Sequence, residues 1–100
     1  MLNSKQRAYL KSLANGIDTI LIIGKGDMSD EIIKQADDAI NKRELIKGKV
    51  LESSNLTAAQ AAQDIADKIN AQVVQTIGSQ FVLYKANKKE PKIVLPRWIK

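Results

Sequence analysis

The sequence predicts a small mixed-sheet α/β domain with the element order α-β-α-β-α-β-β. Two observations carry this. Three segments place apolar residues three or four apart, while four others place them consecutively or at every second position. Glycines or N-capping residues stand at the joints between the two kinds of segment.

Residues 4–15 read as a helix whose apolar stripe is Tyr9, Leu10, Leu13 and Ala14. Asn15-Gly16 stops it, with Gly16 expected at a left-handed cap. Residues 19–23 are a nearly unbroken apolar, β-branched run. Such a run predicts a central strand, covered on both sides or at the heart of a mixed sheet. Gly24-Lys25-Gly26-Asp27 breaks the run. Ser29 is the expected N-cap of a second helix, and Asp30 and Glu31 suit its positive end. Ile32, Ile33, Ala36, Ala39 and Ile40 follow at helical spacing, and the helix should end near Lys42-Arg43. Residues 45–51 alternate: Ile46, Gly48 and Val50 face one way, Lys47 and Lys49 the other, as in a strand with one basic, solvated face. Strand, helix and strand over this length imply a parallel crossover.

Thr57-Ala-Ala-Gln60 is a capping-box pattern. Ala58, Ala61, Ala62, Ile65, Ala66 and Ile69 continue it as a helix whose small side chains allow close packing. Residues 72–77 read as a third strand and 80–85 as a fourth, joined by Gly78-Ser79 as a two-residue hairpin turn with glycine first. In the fourth strand Phe81 and Leu83 face opposite to Val82 and Tyr84. A charged linker at 87–90 precedes a short extended segment bracketed by Pro91 and Pro96, expected at a sheet edge. The 100 residues form one domain, with a basic tail from about 87.

Composition narrows the function classes. There is no cysteine and no histidine. The commonest general base, the thiolate nucleophile and the commonest metal ligands are therefore missing. Asp37-Asp38 are neighbours on a helix and do not converge, and the serines have no histidine partner. The expectation is a protein that is not an enzyme and needs no cofactor or metal. No segment approaches the ~20 apolar residues of a membrane span, and the first residues lack a signal-peptide apolar core. A cytoplasmic monomer that does not engage a membrane is expected.

The net charge is +5, and it is unevenly spread. Residues 84–100 hold six bases and one acid, residues 4–15 three bases and no acid, and residues 16–83 seven bases and ten acids. Basic ends flanking a slightly acidic middle are a footprint for nucleic acid or an acidic surface, or a solubilising tail.

The stretch around Gly24 is the candidate phosphate site. A strand feeding a helix through glycines gathers backbone N–H groups at one spot. Gly24 and Gly26 allow close approach and Lys25 supplies charge. Asp27, Asp30 and Glu31 oppose it by Coulomb repulsion, and a tight turn with an acidic first helical turn accounts for the same residues. Further candidate contacts are Lys5, Arg7 and Lys11 on the first helix, Lys42, Arg43, Lys47 and Lys49 around the second strand, and Arg97 in the tail. Tyr9, Phe81, Tyr84 and Trp98 are the only aromatics, too few for a base-stacking platform.

The element order, the opening Ser4-Lys-Gln-Arg-Ala-Tyr-Leu-Lys11, the loop at Gly24, Glu44-Leu-Ile-Lys47, and the closing Ile77-Gly78, Phe81-Val-Leu-Tyr84 and Leu95-Pro96-Arg97 together resemble the CRM domain. More closely, they resemble the stand-alone bacterial YhbY-like proteins, over nearly the whole chain. The resemblance implies three helices on a four-stranded mixed sheet, similar to the C-terminal domain of translation initiation factor 3. It implies RNA binding, in bacterial members to precursors of the large ribosomal subunit and in plant members during intron splicing. The family loop is typically Gly-x-x-Gly, as in KH-type clamps; here it reads Gly24-Lys25-Gly26-Asp27. The expected function is non-catalytic binding of structured rRNA in a large-subunit precursor. The alternative is a module that docks an acidic protein through its basic helix and tail.

Overall fold

A computed structural model of the chain describes residues 4–25 and 29–86. Gly26, Asp27, the 87–90 linker and the segment holding Arg97 and Trp98 lie outside them. The described elements are α1 (Ser4–Ala14), β1 (Thr19–Ile23), α2 (Asp30–Arg43), β2 (Leu45–Val50), α3 (Ala58–Ile69), β3 (Gln72–Ile77) and β4 (Gln80–Tyr84), in the expected order. The strands form one sheet in the order β1-β2-β4-β3. β1 and β2 are parallel neighbours, while β4 runs antiparallel to both β2 and β3, so the sheet is mixed. Among the described residues no helix is long and apolar enough to cross a membrane.

Two apolar clusters sandwich the sheet. On one face, Leu21, Ile23, Ile46, Phe81 and Leu83 meet Ala36 and Ile40 of α2 and the alanine–isoleucine stripe of α3. On the other, Leu10 and Ala14 of α1 cover Leu45, Val74, Val82 and Tyr84. The alternation expected in β2 and β4 therefore holds, with each strand feeding both clusters.

The caps largely follow the sequence. Ser29 Oγ accepts the Ile32 N–H at 3.2 Å. Thr57 and Gln60 form a reciprocal capping box: Thr57 Oγ1 accepts the Gln60 N–H at 3.1 Å, and Gln60 Oε1 accepts the Thr57 N–H at 2.9 Å. Thr57→Ala removes one half of that exchange and should cost about 1 kcal/mol, read as a lower urea midpoint at unchanged slope. Gly78 has φ of +57°, as a glycine-first hairpin turn requires.

Two expectations are corrected. Gly16 is not left-handed; Gly78 is the one described glycine with positive φ. α1 instead tightens at its end, where the N–H groups of Gly16 and Ile17 bond the carbonyls of Leu13 and Ala14 at 3.1 and 3.3 Å and satisfy them without a left-handed residue. Among the described strands β1 stands at the edge of the sheet, not at its centre. An apolar run looks alike in either place, and here one side of its edge is left to Gln35, whose Nε2 donates to the Ile20 carbonyl at 3.1 Å. Both edge strands also shift register, β1 around Ile20 and β3 around Val74, which disfavours pairing with another chain.

Two non-glycine residues do have positive φ, Glu44 (64°) and the left-handed Asn70 (58°), ending α2 and α3. Glu44 is only 1% exposed. Its N–H bonds the Ile40 carbonyl at 2.8 Å and its carbonyl accepts the Lys85 N–H at 2.9 Å, joining the end of α2 to the end of β4. Burial, with the Glu44 charge adding to it, raises the phenol pKa of Tyr84 above its ordinary value.

Candidate nucleic-acid interface

Strand directions decide which basic residues share a site. The C-terminal ends of β1, β2 and β3 and the N-terminal end of β4 lie at one end of the sheet, because Ile23 pairs with Val50 and Ile77 with Gln80. The Leu51 N–H bonds the Ile23 carbonyl and the Val50 N–H the Ser79 carbonyl, both at 2.8 Å, which ties the three loops at that end together. Gly24 and Lys25 follow Ile23 directly, so the glycine loop belongs to this end. Lys25 is exposed. A Cβ added at Gly24 would meet Leu51 and Ser53 at ordinary contact distances of 3.5 and 3.6 Å.

Lys47 and Lys49 project from β2 on the α1 side, Lys49 exposed and Lys47 half-buried. Lys49 is the strand partner of Ile22, two residues before Gly24. Lys47 and Lys49 thus form one cationic strand face, and Lys25 stands exposed in the loop at the same end of the sheet. The start of α2 adds little attraction. Ser29 already takes up one of its N–H groups, and Asp30 and Glu31 are exposed beside it.

The other predicted contacts do not join this surface. Lys42 and Arg43 are exposed at the end of α2, just before β2 begins. β2 separates them from Lys49 by roughly 13 Å of strand. The cations of α1 do not all share a face at 100° per residue: Arg7 and Lys11 are neighbours one turn apart beside the buried stripe, and Lys5 points nearly opposite Leu10. The Arg7 Nε is shielded and has no hydrogen-bond partner among the described residues. Gly26 and Arg97 lie outside the described residues. Phe81 and Tyr84 are buried in the two clusters, so neither offers a ring face to a base.

Sequence reasoning missed the apolar members of this surface. Ile22 is 55% exposed, Ile77 63% and Leu51 39%, all at the loop end. Ile22 was hidden in an apolar run; its exposure follows from α1 stopping short of that end of the sheet. The visible signal was the Lys47/Lys49 alternation, since cross-strand partners of lysines share their face.

Fold and site together define a small α/β module whose one sheet carries a cationic strand face, with a glycine loop at the same end. The chain belongs to the CRS1 / YhbY (CRM) domain family, whose sequence profile matches residues 2–85. It is 40% identical over 96 residues to a Bacillus subtilis protein named Probable RNA-binding protein YqeI, covering 96% of this chain and all of that one. A Haemophilus influenzae protein named RNA-binding protein is 34% identical, with 96% of each chain covered. The fold matches the solution structure of the hypothetical protein SAV1595 from Staphylococcus aureus, described there as a candidate RNA-binding protein. The TM-score is 0.79 and the identity 42%, over 96% of this chain and all of that one.

Proposed function

We propose that this chain is a non-catalytic, cytoplasmic RNA-binding protein that acts as a monomer on rRNA in a precursor of the large ribosomal subunit. The observation that carries the RNA reading is the basic face of Lys47 and Lys49, on the side of the sheet opposite α2, with Lys25 exposed in the family's loop position at the same end of the sheet. Relatives along the whole chain are named RNA-binding proteins. The ribosomal part rests on the likeness to stand-alone bacterial YhbY-like proteins. Phosphate contacts make such binding salt-dependent, with a log–log slope of roughly −0.7 to −0.9 per contact.

Filter-binding titration against large-subunit rRNA fragments tests the reading. Saturable binding at low salt is expected, and its absence there would sink the RNA function. Sedimentation tests the ribosomal part alone, through presence or absence in large-subunit precursor fractions. A pull-down whose protein partner survives nuclease treatment would instead favour docking to an acidic protein.

Lys25→Glu should weaken RNA binding more than Lys68→Glu, roughly tenfold against less than threefold. Lys68 is exposed on α3, next to Asp67 and one turn from Asp64. Equal losses would show that the loop holds no special contact.

A further inference from the structure

Resting on the reading of this chain as an RNA binder, we infer that the α1 side of the sheet, at its loop end, takes up unpaired nucleotides. Bases lie against the sheet and phosphates on the lysines. Four side chains form one row across all four strands: Ile22 is paired with Lys49, Lys49 with Gln80, and Gln80 with Ile77. Three inter-strand steps make the row about 14 Å wide. A single exposed isoleucine is ordinary. Here two, 55% and 63% exposed, stand at the two ends of one row with Lys49 and Gln80 between them.

Beside the row lies a cleft of about 120 Å³, where the end of α1 meets the sheet. Asn15, Lys47, Gln75, Ile77 and Gln80 contribute to its lining. Three of these carry amides, and each amide offers both donors and an acceptor. The Watson–Crick edge of a base presents the same complement. Among the described residues no side-chain hydrogen bond engages the amides of Asn15, Gln75 or Gln80.

This combination fits a splayed strand and not a duplex. An A-form duplex shows phosphates, 2′-hydroxyls and minor-groove edges outward, stacks its base faces away and uses its Watson–Crick edges in pairing. Ile22 and Ile77 would then lie against polar backbone and gain nothing. An unpaired segment can set sugar or base faces on the isoleucines, base edges on the amides, and phosphates on Lys47 and Lys49. No carboxylate stands in the row or lines the cleft, so the charge complements a polyanion. Gly24 and Lys25 stand at the same end of the sheet and carry the strand onward. An acidic protein would meet the same lysines, but its paired backbone would leave the three amides without partners.

The test uses the full chain and a labelled RNA strand of about twelve nucleotides, alone or annealed to its complement. The Ile22→Ser/Ile77→Ser double variant is expected to bind the single strand about tenfold more weakly. Its duplex affinity and its salt slope should stay unchanged, because no charge is removed. Both sites are exposed, and circular dichroism checks that the variant folds. Equal loss on both RNAs, or no loss on the single strand, overturns the inference while leaving RNA binding intact. Failure of the unaltered chain to bind either RNA removes the functional reading and this inference with it.

Discussion

Gly48→Ala is expected to destabilise the fold by about 3 kcal/mol, among the largest effects open to a single added methyl group. A Cβ at Gly48 would fall on the ring of Phe81, colliding with Cζ and lying 2.6 Å from Cε2 and 2.8 Å from Cε1. Phe81 is the strand partner of Gly48 and is fully buried. Its ring is packed in the cluster that includes Ile46, Ile65 and Leu83, so it has no room to yield. Urea denaturation reads the loss as a lower midpoint. Phe81→Leu alone should cost about 1.5 kcal/mol through the space it opens. Combined, the two changes should cost less than their sum, because the smaller side chain makes room for the new methyl group. Strict additivity would show that Gly48 is set by something other than the ring.

Reversing two charges at the loop end should have the largest effect on RNA affinity. Lys47→Glu/Lys49→Glu is expected to weaken binding on the order of a hundredfold at low salt and to make the salt slope shallower by roughly 1.4 to 1.8. The control is Lys42→Glu/Arg43→Glu, which changes the net charge equally at the other end of β2. If only long-range charge mattered, both pairs would lose alike. A much smaller loss for the α2 pair places the contact on the sheet face. An equal or greater loss would move it to the end of α2.

Much of this architecture was legible in the residues. Ser29 and the Thr57–Gln60 pair announce their helices because capping chemistry is local, and each acts over three residues. The Lys47/Lys49 alternation marks a basic face because side chains on a strand repeat with period two. Strand order was not legible, since it depends on contacts far apart in sequence. An apolar run such as residues 19–23 reads the same at the centre or at the edge of a sheet. Ile22 could be recognised as exposed only once α1 was seen to stop short of it. The separation of Lys5 from Arg7 and Lys11, and the distance of Lys42 and Arg43 from the loop, likewise follow from packing and direction. Net charge alone made these residues look like one group.

The place of β4 bears on how the chain is made. β1, α2 and β2 form a contiguous parallel unit that can pair as soon as it is synthesised. β3 cannot join it, because among the described strands its neighbour is β4. Until residues 80–84 are available, β2 keeps an open edge, Leu45 and Ile46 lack their partners, and β3 has no ladder at all. The last described strand to be synthesised is thus the one that slots between the others and closes the sheet. A nascent chain halted before Gln80 would leave unpaired the edges of β2 and β3 that β4 covers, and such edges are templates for self-association. Translation through Tyr84 would then be the step that commits the chain to its fold.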